Sequence, residues 1–302
     1  MKKMRKTLTI LLALLLALSL FAGCGGEVNP AGSSQVDDAE DTGDPVEVSE
    51  EAKVLRVGME CAYAPYNWMQ PTDANGAVPI KDSRDYAYGY DVMMAKYLAD
   101  KIGYTLEIHM MDWDSLPPAV QSGAIDCAIA GQSITEDRKL TLDFTTPYYY
   151  ASIVGLVKAD SAFAGATGIS GLSGASATSQ LNTVWYDVCL PQIPGVSILS
   201  PMDSAPAMLA SLTSGACDLV VTDMPTAMAA VSVYSELKLL DFTDSADGFT
   251  VSDEEINIGI SVKKENKDLL NKLNNALKGL TVADFERMMN DAIRVQPLST
   301  ED

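Results

Sequence analysis

Ile125-Asp126-Cys127-Ala128-Ile129-Ala130-Gly131-Gln132-Ser133-Ile134-Thr135-Glu136-Asp137-Arg138 sets the fold class. The first six residues are apolar enough to read as a buried strand. Gly131 to Ile134 is a turn of small and polar residues. Thr135 then reads as an N-cap, with Glu136 and Asp137 in the first turn of a helix. A strand, a turn and a helix start make one unit of an α/β protein. The turn also brings free backbone N–H groups, the Ser133 hydroxyl and the Arg138 guanidinium to one place. Those groups can hold a small carboxylate, and the same residues would also serve an ordinary strand-to-helix loop.

The pattern extends in both directions. Val54 to Gly58 reads as a strand, Asp91 to Ile102 as a helix stopped by Gly103, Tyr104 to Met110 as a strand, and Leu116 to Ser122 as a short helix opened by prolines. The alternation predicts layers with mainly parallel sheets. Ser122-Gly123-Ala124-Ile125-Asp126 is echoed 92 residues later by Ser214-Gly215-Ala216-Cys217-Asp218. Both stretches follow an apolar helix and precede an apolar strand, so the chain is expected to hold two lobes built on a similar unit. The second of these strands ends at Asp223, at the carboxyl end where open sheets place ligands. Asp223 is equally a plain N-cap for the helix after it. Gln180-Leu181-Asn182-Thr183 is expected to open a helix running toward Leu190.

The N-terminus is a different kind of sequence. Lys2, Lys3, Arg5 and Lys6 precede an apolar run, Leu8 to Leu20, too short to span a membrane comfortably. Residues 1–23 read as a secretory signal. Phe21-Ala22-Gly23-Cys24 resembles a bacterial lipobox, which implies that Cys24 becomes a lipidated first residue of the mature chain. Residues 24–52 are rich in Gly, Ser and acids, lack aromatics and read as a disordered tether.

The full chain of 302 residues carries a net charge of −20. Such an acidic protein is not expected to bind nucleic acid. The cysteines Cys61, Cys127, Cys189 and Cys217 form no metal or redox motif, and a Cys61–Cys189 disulfide stays open. His109 is the single histidine, so neither a hydrolase triad nor a zinc site is expected. No cofactor is expected.

Further blocks carry a resemblance. They are Val57-Gly58-Met59-Glu60 with Tyr63-Ala64-Pro65-Tyr66, Gly89-Tyr90-Asp91-Val92, Trp113-Asp114-Ser115-Leu116, and Ser133-Ile134-Thr135 with Arg138, Asp143-Phe144 and Pro147-Tyr148-Tyr149. From Leu55 to about Gln296 the chain resembles the type II extracellular solute-binding proteins of polar amino-acid ABC importers. The resemblance implies a two-lobed α/β periplasmic-binding-protein-like fold with a hinge and a ligand cleft between the lobes. Residues 53–150 and 258–298 would form the first lobe, 151–257 the second, and 299–302 a tail. Strand crossings would lie at 147–153 and about 255–260. Two amphipathic helices, 266–279 and 281–293, would cover the first lobe.

The resemblance also implies roles. Arg138 would clamp the α-carboxylate of a free L-amino acid, helped by Ser133 and, on closure, Thr183. Asp223 and the Gly131 carbonyl would take the α-ammonium. Tyr63, Tyr66 and Trp68 would wall the side-chain pocket. The chain would bind and not catalyse, and would deliver its ligand to a membrane permease and its ATPase from a lipid-anchored position on the outer face of the cytoplasmic membrane. Three features depart from the usual pattern. Glu60 stands where many relatives have Asp and would favour a basic side chain. Residues 69–87 are a longer insertion, able to rim the cleft or decorate the surface. Asn182 replaces a common Gly before the Thr. The alternatives are a cyclohexadienyl dehydratase-like lyase, with Glu60 or His109 as its acid or base, and a ligand-sensing lipoprotein without transport.

Overall fold

The computed structural model describes residues 53–296. The signal segment, the tether with Cys24, and residues 297–302 lie outside the described residues.

The chain builds two five-stranded sheets of one design. In the first, the strands run Thr105–Met110, Val54–Met59, Cys127–Ala128, Ser261–Lys263, Leu142–Phe144. In the second they run Ser197–Ile198, Ser176–Thr178, Leu219–Asp223, Ile153–Lys158, Leu237–Leu240. In each sheet the first three strands are parallel and the fourth is antiparallel to both its neighbours. The sheets are therefore mixed, because the crossing strand enters each from the other lobe. Tyr149–Tyr150 and Asn257–Ile258 make the crossings and pair antiparallel as a two-stranded hinge.

The repeated pentapeptide does one job twice. In the first lobe Asp126 Oδ2 accepts the backbone N–H of Arg56 at 2.8 Å, and Asp126 N donates to the Arg56 carbonyl at 2.9 Å. In the second lobe Asp218 Oδ2 accepts from Ser176 N at 2.9 Å, and Asp218 N donates back to the Ser176 carbonyl at 2.9 Å. Each Asp thus pins a strand to the start of its parallel neighbour and satisfies backbone groups that would otherwise be unpaired.

Helices cover the sheets through periodic apolar residues. Lys267–Leu277 buries Leu269, Leu273 and Leu277 against the Tyr90–Ile102 helix. Val282–Val295 buries Phe285, Met289 and Ala292 and opens with a capping box from Thr281 and Asp284. This last helix contacts Tyr90–Ile102 of the first lobe and Met224–Val233 of the second, so it straddles the lobes and does not cover the first alone. Just past its end, Gln296 Nε2 donates to the Ala229 carbonyl at 3.4 Å across the same junction.

The insertion takes a structural place. Ala62–Tyr63, Asn67–Gln70, Tyr86–Tyr88 and Val78–Pro79 form an antiparallel four-stranded sheet. Ile80 then pairs with Ile108, Lys81 N donates to the Ile108 carbonyl at 2.8 Å, and Lys81 Nζ meets Glu107 at 2.8 Å. The insertion so covers the outer strand of the first sheet, where an open edge would invite pairing with another chain. All four described cysteines are free and buried, which closes the question of a Cys61–Cys189 bridge.

Gly89 joins this small sheet to the Tyr90–Ile102 helix at φ +126°, and a Cβ there would lie 2.3 Å from the Tyr66 carbonyl oxygen. Backbone cannot yield as a side-chain tip can. Gly89→Ala is expected to lower unfolding free energy by about 2 kcal/mol or more, measured by urea denaturation; an unchanged midpoint would contradict this packing.

Candidate functional site

The site lies where the ends of both sheets meet. Thr135 caps the Glu136–Lys139 helix by accepting from Arg138 N at 3.3 Å, which fixes the direction of the Arg138 side chain. Its guanidinium donates to the Ser133 carbonyl of its own lobe and to the Asn182 carbonyl of the other, both at 2.9 Å. Its face lies over the Trp113 ring, 5.4 Å from the centroid. Burial pulls Arg138 down to about 10, so it remains a cation at neutral pH.

Asp223 ends its strand and caps the following helix, accepting from Thr226 N at 2.9 Å and Thr226 Oγ1 at 3.1 Å. The Tyr63 hydroxyl, from the first lobe, donates to Asp223 Oδ2. The capping carboxylate thus also anchors a bond between the lobes, but it is buried behind Tyr63 and does not itself line the cleft. A further bond between the lobes runs from Gln180 Nε2 to Glu60 Oε1 at 3.1 Å.

Between these groups is a cleft of about 300 Å³, its open mouth included, lined by Glu60, Tyr63, Gly131, Ser133, Arg138 and Thr183, with Trp113, Gln180, Val184 and Trp185 completing it. The space left open inside it is only about 20 Å³, far below a small-molecule site, so a ligand can enter only when the lobes part. Two expected wall residues lie elsewhere. Tyr66 is fully buried behind Tyr63, stacked on it at 4.7 Å between centroids, with its hydroxyl unpartnered. Trp68 packs edge-on against Tyr88 and donates to Gln70; it belongs to the insertion sheet and not to the cleft. The Thr183 hydroxyl donates to the Gln180 carbonyl at 2.6 Å and accepts from Tyr186 N, so it caps its own turn. Where a regular helix toward Leu190 is expected, the chain forms a π-helical turn, Trp185–Cys189, continued by a 3-10 turn, Leu190–Gln192. No local pattern marks the Gln180 side chain or Trp185 as part of the cleft, because both meet first-lobe partners far away in the chain.

A buried network holds the first-lobe loops. Tyr148 Oη donates to Asp91 Oδ1 at 2.6 Å and accepts from Gly131 N at 3.1 Å. Asn67 Nδ2 donates to Asp91 Oδ2 at 2.8 Å, while Asn67 Oδ1 accepts from Cys61 N at 2.8 Å. One fully buried carboxylate thus fixes both the Gly131 turn and the residue beside Glu60. Gly131 sits at φ +62°, and a Cβ there would meet Tyr63 Cε1 at 2.5 Å. His109 lies apart, 2.8 Å from Glu107 on the outer strand. Among the described residues no group of three His, Cys, Asp or Glu is placed to hold a metal ion.

Known proteins resemble this chain in sequence and in fold. The sequence pattern of the bacterial extracellular solute-binding proteins, family 3, matches residues 55–288. The chain is 28% identical over 245 residues to ABC transporter arginine-binding protein 1 of Escherichia coli strain K12, covering 80% of this chain and 90% of that protein. It is 26% identical over 231 residues to a probable histidine-binding protein of Neisseria gonorrhoeae, covering 75% and 77%. The arginine-bound form of truncated ArgBP from T. maritima superposes with a TM-score of 0.62 at 30% identity, covering 76% of this chain and 96% of that one.

Three buried acids, Glu60 in the cleft lining and Asp91 and Asp223 behind it, stand against one lining base, Arg138. Burial pushes the Glu60 carboxyl up to about 7; the Gln180 bond opposes this, and Asp112, Asp114 and Asp91 add to it. Burial also raises Asp91 to about 7, against the bonds from Tyr148 and Asn67, and raises Asp223. Native Glu60 and Asp91 hold protons that the unfolded chain gives up at about pH 4 to 4.5. Stability from these groups is therefore full below that range and is lost as pH rises to about 7. Glu60→Gln is expected to raise the ligand-free protein's stability at pH 7.5 by about 1–2 kcal/mol and to flatten its fall between pH 5 and 7. Chemical denaturation at several pH values reads this, and parallel curves for the two proteins would contradict it.

Proposed function

The chain belongs to the bacterial extracellular solute-binding proteins, family 3, and we propose that it captures a free L-amino acid with a basic side chain, arginine first among them. The observation that carries this reading is Glu60. Glu60 as a residue is 9% exposed, lines the cleft, and its carboxyl has only a neutral amide as hydrogen-bond partner. A carboxylate held out of water without a cation is costly, and a guanidinium or ammonium from the ligand would supply that cation. Glu60 and Trp113 also line an adjoining recess with Asp112, Asp114 and Asp203, so the surroundings add negative potential.

The two ends of an amino acid fit the remaining groups. Arg138 would take the α-carboxylate, with Ser133 and Thr183 beside it. Asp223 would take the α-ammonium, exchanging the Tyr63 hydroxyl for it, with the Gly131 carbonyl as a second acceptor. Tyr63 and Trp185 pack on each other at 6.1 Å between ring centroids and would have to part to take the ligand side chain between them. Because the groups come from both lobes, ligand and closure are coupled. Relatives named as ABC-transporter binding proteins support delivery to a permease and its ATPase. A lipid anchor on Cys24 would hold the domain at the outer face of the cytoplasmic membrane. The lyase reading has less support: His109 is outside the cleft, and the curated relatives are named as binding proteins.

The test is a thermal-shift screen of the proteinogenic amino acids, followed by calorimetry on Glu60→Gln. L-arginine at 1,000 times its Kd is expected to stabilise the protein by about 4 kcal/mol. Because the cation favours ionised Glu60, its affinity is expected to fall by up to about tenfold per pH unit below 7, and this slope is expected to vanish in Glu60→Gln. A shift with neutral amino acids and none with arginine or lysine would overturn the basic-ligand reading.

A further inference from the structure

Asn182 stands at φ +55°, a left-handed conformation that glycine adopts freely and that asparagine tolerates better than other residues with a side chain. This turn presents the Asn182 carbonyl to Arg138 Nη2 at 2.9 Å. Its side chain reaches the first lobe at another point, with Nδ2 donating to Asp114 Oδ1 at 2.7 Å. Asp114 follows Trp113, whose ring lies under the Arg138 guanidinium. One exposed residue of the second lobe therefore grips the first lobe at two charged groups, one beside Trp113 in the chain and the other stacked on it. The geometry points to Asn182 as a closure latch: its amide bond to Asp114 sets how long the closed cleft holds its ligand.

The physical basis is that both bonds join opposite lobes, so they exist only when the cleft is shut. A contact made only in the closed state shifts the population toward that state and slows release, while leaving the open state that first meets the ligand unchanged. A glycine at position 182 would give the same backbone turn and the same carbonyl. What the asparagine adds is the amide, and what the amide adds is Asp114. The inference deepens the binding reading and rests on it where ligand rates are concerned, but the latch itself is a property of lobe closure.

The test uses the full chain as wild type, Asn182→Gly, Asn182→Asp, Asp114→Ala and the Asn182→Gly/Asp114→Ala double variant. L-arginine association and dissociation are followed by stopped-flow tryptophan fluorescence, and the ligand-free proteins by small-angle X-ray scattering. Asn182→Gly is expected to raise the dissociation rate about three- to tenfold, with the association rate and the melting temperature unaltered. Asn182→Asp sets a carboxylate against Asp114 and is expected to release faster still and to scatter as a more extended particle. Asp114 also lies among the acids near Glu60, so Asp114→Ala is expected to slow association of a cation. The double variant should dissociate no faster than Asn182→Gly, because the two changes remove one bond. Unchanged dissociation in Asn182→Gly, or additive effects in the double variant, would overturn the latch. A wild type that ignores L-arginine would instead count against the ligand reading. The latch would then be judged on scattering alone, and identical profiles for wild type and Asn182→Asp would overturn it.

Discussion

The structure is organised around carboxyl groups held out of water at the junction of its two lobes. Glu60, Asp91 and Asp223 are all buried, and burial raises all three. Each is kept by hydrogen bonds from a different source. Asp91 is closed off by Asn67 and Tyr148 within the first lobe. Asp223 has Thr226 from its own helix and Tyr63 from across the cleft. Glu60 has only the Gln180 amide. Both oxygens of Asp91 and both of Asp223 are bonded, whereas Glu60 has one bond, so Glu60 is where a cation would contribute most.

The scaffold explains why the cleft has a defined shape. Asp91 ties the start of the Tyr90–Ile102 helix to Tyr148 beside the hinge, to the Gly131 turn and to the Cys61 backbone. Tyr90 donates to the Tyr148 carbonyl and its ring stacks on that of Tyr148 at 5.7 Å. The aromatic cluster that includes Tyr66 and Tyr149 is thus packing that fixes the hinge strand against the first lobe. Closure can then occur as a rigid movement about two short strands.

Much of this was legible in the sequence, for local reasons. The turn at Gly131 to Arg138 announces itself because capping and helix-start residues follow a buried strand without a gap. The paired pentapeptides give both lobes away because each is a local helix stop and strand start, although the Asp in each bonds a strand 70 or 42 residues back. Asp223 could be read as an N-cap or as a ligand group; the structure shows the cap and adds the bond from Tyr63 across the lobes. What stayed hidden depends on distance. Trp68 reads as a cleft aromatic until the insertion sheet turns it toward Tyr88. Gln180 and Trp185 enter the site only through lobe packing. The π-helical turn at Trp185–Cys189 leaves no periodic trace in so short a segment, and the last helix bridges both lobes with an apolar stripe no different from one that covers a single lobe.

The central claim is that one zwitterion end and one basic side chain are read by separate charged groups of this cleft. Calorimetry with L-arginine, agmatine and 5-guanidinopentanoic acid tests it most directly, because the two analogues keep the guanidinium and lose the α-carboxylate or the α-ammonium. The account predicts binding of L-arginine and a loss of at least about 100-fold for each analogue, since each leaves Arg138 or Asp223 without its partner in a buried site. Agmatine or the des-amino acid binding as tightly as L-arginine would contradict it.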